Sequence, residues 1–171
     1  MPAKPSTPEV PPIERVQASY KQLSLASIGL NEASDELGSA VSDLDAALQK
    51  LNLGISAWVQ LSGGEEEYNW WSRDIGYAKV KDKWGIGLKT SSGNYASPER
   101  DSEELWLFND APRWMRTVAV GKIPDLLEAL LKKAQDTTKA IKKKTVQVYE
   151  FAAAINAIAE DDQPAKQKSG R

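Results

Sequence analysis

IERVQASYKQLSLASIGLNEASDELGSAVSDLDAALQKL, residues 13–51, decides the fold. With Ile13 at heptad position a, the d positions are Val16, Leu23, Leu30, Leu37, Leu44 and Leu51, all aliphatic. That spacing puts one apolar stripe along a helix and is the signature of a coiled-coil seam. The a positions are weaker, because Ser27 and Ser34 stand among Ile13, Tyr20, Val41 and Leu48. Gly29 and Gly38 each cost ~1 kcal/mol against alanine in a helix, so a bend or a break is expected near 27–38. Asn52 and Gly54 supply the stop. The seam residues singled out as candidates for self-association are Leu23, Leu30, Leu37, Val41, Leu44 and Leu48.

A second long helix is expected near the other end, over 124–160. Leu127, Ala134, Ile141, Val148 and Ile155 recur every seventh residue, and Leu130, Leu131, Phe151 and Ile158 widen the stripe, although Thr137 and Lys144 interrupt its d-like row. Each long helix would span ~60 Å. Residues 1–53 carry 4 basic and 7 acidic groups, and residues 122–171 carry 10 and 7. The ends therefore differ in sign, which suits pairing of the two helices.

Between them the chain changes character. Residues 54–121 hold all six tryptophans and eight of the eleven glycines. Ile55, Ala57, Val59 and Leu61 alternate as a strand, with Ser62-Gly63-Gly64 as its turn. Trp71 to Val80 reads as a second strand, closed by the tight link Lys81-Asp82-Lys83. Trp84, Ile86 and Leu88 alternate against Gly85 and Gly87 in a third, whose glycine face invites a packed helix. Leu105 to Phe108 is a fourth, after a polar loop. Asn109-Asp110-Ala111-Pro112 then opens a short helix, 111–120.

The expected class is α+β: an antiparallel coiled-coil-like hairpin of N- and C-terminal helices flanking a four-stranded antiparallel meander. Residues 13–161 form one domain (helix 13–52, sheet 54–109, helices 111–160). Residues 1–12, Pro-rich, and 162–171, polar, are expected to be disordered tails. The competing arrangement folds broken helices onto one face of the sheet. The strands are too few to bury both stripes, which favours the extended form and, with it, a homo-oligomer.

Composition narrows function. The 171 residues include no cysteine and no histidine, which excludes disulfides, thiol catalysis, imidazole triads and Cys/His metal sites. There is no nucleophile elbow, P-loop or dinucleotide fingerprint, and Trp84-Gly-Ile-Gly87 lacks the third glycine. A net charge of −2 gives no global pull toward nucleic acid, so a nucleic-acid role is disfavoured. The acidic groups, Glu65-Glu66-Glu67, Asp74, Glu103 and Glu104 among them, read as solvated loop charge. Lys139 to Lys144 reads as a solvated face or a contact for the acidic first helix, with Asp43 and Asp45 as opposite numbers. No stretch reaches the ~20 apolar residues of a membrane span, and a cytoplasmic location is the expectation.

One constellation carries recognition chemistry: Trp70, Trp71, Arg73, Arg113, Trp114 and Arg116. Guanidinium forks bind carboxylate or phosphate, and indole faces stack on cations or rings. These residues meet only if the helix of the 110s packs near strand two. The leading expectation is a non-enzymatic interaction or assembly protein, with no cofactor or metal, that self-associates through its helices and offers the Trp-rich sheet to a protein partner. The alternative is a small-molecule or nucleotide-binding module using the same arginines and tryptophans.

Overall fold

The structure, a computed structural model, describes residues 11–161. Of the expected tails, residues 1–10 and 162–171 lie outside the described residues, while Pro12 already opens the first helix. The elements are α1 (Pro12–Lys50), β1 (Ala57–Glu66), β2 (Asn69–Val80), β3 (Lys83–Asn94), β4 (Ser102–Leu107), α2 (Arg113–Ala119) and α3 (Ile123–Asp161). The four strands form an antiparallel meander in the order β1-β2-β3-β4.

The hairpin links follow backbone chemistry. Lys81 and Asp82 both have positive φ, 46° and 68°, the conformation of a type I′ turn, and Lys79 reaches Asp82 at 3.1 Å. The first hairpin turns at Glu67 and Tyr68, not at Ser62-Gly63-Gly64. Those residues remain in β1, just past a bulge between Gln60 and Ser62. Gly64 is small for a different reason: a Cβ there would stand 2.9 Å from the Trp71 indole nitrogen. The short helix also starts later than expected. Asn109 and Asp110 lie in a 3₁₀ turn, and Pro112 precedes α2 without a side-chain cap.

Alternation along the strands sorts the side chains onto two faces. One face contributes Val59, Ile75, Tyr77, Ile86, Leu88 and Trp106 to the core. Val41 and Leu48 from α1, Met115 and Ala119 from α2, and Leu126 and Leu130 from α3 complete it. On the opposite face the Trp58 indole lies across Gly76 and near Gly87, with Lys89 Nζ 4.9 Å from the ring centroid.

α1 runs unbroken from Pro12 to Lys50, so the helix does not break at 27–38. Gly29 has nothing within 4 Å of an added Cβ, whereas Gly38 is a point of close approach. Asn109 Nδ2 donates to the Gly38 carbonyl at 3.3 Å and to Ser42 Oγ at 3.1 Å. β4 ends opposite Gly87, leaving β3 without that neighbour over its first residues. There Asp45 of α1 accepts a hydrogen bond from the Ile86 N–H at 2.6 Å, and Gln49 donates to the Trp84 carbonyl at 2.8 Å. Gly85 admits Asp45, so the helix contact expected at β3's glycines is made at Gly85, while Gly87 faces Val80 and Trp58.

Within the protomer the main contacts of both long helices are with the sheet, and the expected hairpin between them is not seen as a continuous seam among the described residues. α1 docks on β3 through its C-terminal half, and α3 docks on β1 and β2 through its N-terminal part. No α1–α3 seam covers the remainder. Residues 12–33, about 33 Å of helix at 1.5 Å per residue, are exposed throughout. Residues 135–158 are exposed except for half-buried Thr137 and Gln147. The physical reason is the sheet: its apolar face is wide enough to take half of each stripe and competes with helix pairing for it. Nor does the lysine run meet the acidic helix. Lys139 lies 4.0 Å from Asp136 of its own helix, and Asp45 is committed to β3.

Candidate functional site

The core face of the sheet changes chemistry along its length. Rows Tyr77–Ile86 and Val59–Ile75–Leu88–Trp106 are apolar and covered by helices. The next row is Arg73–Thr90–Glu104, and the one beyond it is Gly64–Trp71–Ser92–Ser102. α2 sits where the change occurs, packed on β3.

At that boundary Arg73 lies against two indoles. Its guanidinium carbon lies 4.6 Å from the Trp71 ring centroid and 4.8 Å from that of Trp114. Trp71 has 41% of its surface exposed and Trp114 has 52%. A cation over one indole contributes roughly 0.5–1 kcal/mol when exposed and more when desolvated. The guanidinium is thus in contact range of two indole faces, while its N–H groups make no hydrogen bond with a described residue. The Arg73 Nε is buried with no partner among the described residues, and Arg73 makes no salt bridge there. A cavity of about 310 Å³ adjoins it, lined by Trp71, Arg73, Thr90, Ser92, Ser102 and Glu104 among others. The hydroxyls of Ser92 and Ser102 are 3.0 Å apart.

Of the six predicted recognition residues, the structure brings three together: Trp71, Arg73 and Trp114. The other three point elsewhere. Arg113 donates to Asn31 Oδ1 and Arg116 to Ser34 Oγ, each at 2.8 Å, so both pin α2 to α1. They are three residues apart and share a helix face that Trp114 does not. Trp70 takes the other face of β2, where its ring covers Gly93. Sequence reasoning missed Thr90, Ser92 and Ser102. Their signal was present: Ile86, Leu88, Thr90 and Ser92 occupy one face of β3, and apolar gives way to hydroxyl midway.

The seam candidates divide in the same manner. Val41 and Leu48 are buried in the protomer's own core, and Leu37 and Leu44 pack against it. Leu23 and Leu30 are bare, at 66% and 53% exposure. A second cavity, about 340 Å³, lies at the end of α1 under the Tyr77–Trp84 stack, whose centroids are 5.6 Å apart. Burial and the nearby Asp45 charge push the Tyr77 hydroxyl above its ordinary range. Of the cavity's other polar liners, Gln49, Asn52 and Lys83, the first is already committed to the Trp84 carbonyl.

Among the described residues, no three acidic side chains converge to hold a metal ion. No described helix is long and apolar enough to cross a membrane. Comparison with protein-family models, curated proteins and solved structures finds no match to this chain.

Proposed function

We propose that this chain is a non-enzymatic assembly and interaction protein, self-associating through the free halves of α1 and α3 while the sheet presents its Trp71–Arg73–Trp114 surface. One observation carries the reading. The a/d stripe of α1 continues, with Ser27 and Ser34 as polar gaps, from a half that the sheet covers, at Leu37, Val41, Leu44 and Leu48, into a half that no described residue covers, at Ile13, Val16, Tyr20, Leu23 and Leu30. The stripe of α3 likewise extends from Leu126 and Leu130 to Ile141, Val148, Phe151, Ile155 and Ile158, with Thr137 and Lys144 interrupting it. Monomers rarely leave so many large apolar side chains of one stripe exposed.

The flanks of the stripes favour a bundle over a two-stranded coil. Beside the α1 seam stand Gln17, Ser19, Ser24, Ala26 and Asn31; beside that of α3 stand Thr138, Ala140, Thr145, Gln147 and Ala152. Two-stranded coils usually carry charge at these positions. Small uncharged flanks widen the apolar face and let more than one neighbour pack. Two copies supply four free half-helices, enough for a four-helix bundle between the sheets.

Sedimentation velocity across the micromolar range tests this. The intact chain is expected as a dimer or larger. Leu23→Glu combined with Val148→Glu is expected to sediment as a monomer with an unchanged near-ultraviolet tryptophan spectrum. A monomeric intact chain would refute the proposal. Alanine at Leu37 or Leu44 would not serve, because those side chains support the core.

The nucleotide alternative loses support from the turning of Arg113 and Arg116 toward α1, which leaves a single free fork. Small-molecule recognition keeps a specific observation in its favour, the cavity at Arg73.

A further inference from the structure

The geometry points to a binding site for a short zwitterion, of dipeptide length, at the polar end of the sheet: its carboxylate on the Arg73 edge and its ammonium on Glu104. Arg73 is the anchor. The Trp71 and Trp114 rings, at 4.6 and 4.8 Å from its guanidinium carbon, restrict where that group can move. A fork held this way presents in-plane N–H groups, and a planar two-oxygen anion is their natural complement. No described residue supplies that anion.

Charge at the far side sets the rest of the ligand. Glu104 lines the same cavity and makes no salt bridge with any described residue. Thr90 stands between it and Arg73 in the cross-strand register. Two strand spacings separate their backbones by roughly 9–10 Å. A dianion such as phosphate would meet repulsion from Glu104. A molecule with an anion at one end and a cation at the other meets complementary charge at both. Two residues are a size that about 310 Å³ can hold. Thr90, Ser92 and Ser102 line the middle, where their hydroxyls can serve a peptide's N–H and C=O in either role.

The inference is independent of self-association, and its test reads different signals. In ¹H–¹⁵N spectra of the full chain, the Arg73 Nε–H and the Trp71 and Trp114 indole N–H resonances report the site directly. The probes are alanyl-alanine, its N-acetylated and C-amidated forms, and inorganic phosphate. Alanyl-alanine is expected to shift all three resonances in a saturable manner. Blocking either terminus is expected to weaken binding roughly tenfold or more, the scale of one charged hydrogen bond. Glu104→Gln, at an exposed position, should remove the preference for the free ammonium while leaving the spectrum of the unliganded chain intact. Arg73→Lys keeps the charge without the fork and should lose binding. The proposal is overturned by no shift with alanyl-alanine, by phosphate binding as well as the dipeptide, or by a Glu104→Gln variant that still discriminates against the acetylated form.

Discussion

Two halves of one helix differ in what surrounds them and hardly at all in sequence. In α1, Leu44 and Leu48 of the docked half and Val16 and Leu23 of the free half lie on the same heptad stripe. Leu48 is 6% exposed and Leu23 is 66% exposed. The helix itself cannot tell the halves apart. What distinguishes them is a sheet wide enough for about half the stripe. An amphipathic pattern reports that a face is to be covered, and it is silent on what covers it.

The largest expected effect breaks that comparison directly. Leu48→Ala leaves a cavity in a closed core and is expected to lower unfolding free energy by about 2–4 kcal/mol. Leu23→Ala removes the same atoms from the free half. It is expected to leave the sheet and its local stability unchanged and to weaken association instead. Denaturant titration at several protein concentrations separates the two: the Leu48 loss is independent of concentration and the Leu23 loss is not. Equal, concentration-independent losses would mean that the free half has cover within its own chain.

The two helical glycines sharpen the comparison with effects of opposite sign. Gly29, in the free half, has no neighbour within 4 Å of an added Cβ. Gly29→Ala is expected to stabilise by about 0.5–1 kcal/mol through helix propensity alone. Gly38, in the docked half, would place its Cβ 2.8 Å from Asn109 Oδ1. The same substitution there gains the propensity term but displaces the Asn109 side chain from the Gly38 carbonyl and Ser42. Losing two hydrogen bonds at ~0.5–1.5 kcal/mol each outweighs the gain, for a net loss of roughly 1 kcal/mol. Thermal melts of the two variants check the sign.

How far such detail was legible in the sequence depends on whether a signal has one physical cause. The d-position leucines have one, and α1 and its stop at Asn52 and Gly54 follow from them. The Lys81-Asp82 link is legible because alternating strands on both sides leave it two residues. Glycine has several causes. Gly63 and Gly64 read as a turn, yet the need at Gly64 is room for the Trp71 ring, and Gly38 reads as a weak point, yet it is a contact. The recognition site was legible by residue type but not by direction. Trp70 and Trp71 are adjacent and therefore face opposite ways, and which of them meets Arg73 follows from strand phase. Arg113 and Arg116 were plausible ligand forks until α1 offered Asn31 and Ser34.

The smallest expected effect concerns the point where the docked half touches backbone. Asp45 accepts from the Ile86 N–H, and burial pushes its carboxyl above the ordinary carboxylate range; that hydrogen bond offsets the rise only in part. A carboxyl whose pKa is raised on folding binds its proton more tightly in the folded chain than in the unfolded one. Protonation therefore stabilises the fold. This contribution is fully present below the unfolded value and is lost as pH rises through the folded value. Asp45→Asn retains a side-chain acceptor for the Ile86 N–H but cannot ionise. Relative to this variant, the parent chain should gain stability as pH falls from neutral into the acid range, and at neutral pH the variant should match or slightly exceed it. Parallel urea titrations at neutral and mildly acid pH measure the difference. A parent chain that instead loses ground to Asp45→Asn on acidification would show the ionised carboxylate to be favoured at this site. The β3 edge would then be an electrostatic anchor for α1 and not, as the geometry indicates, a hydrogen bond made at some cost in buried charge.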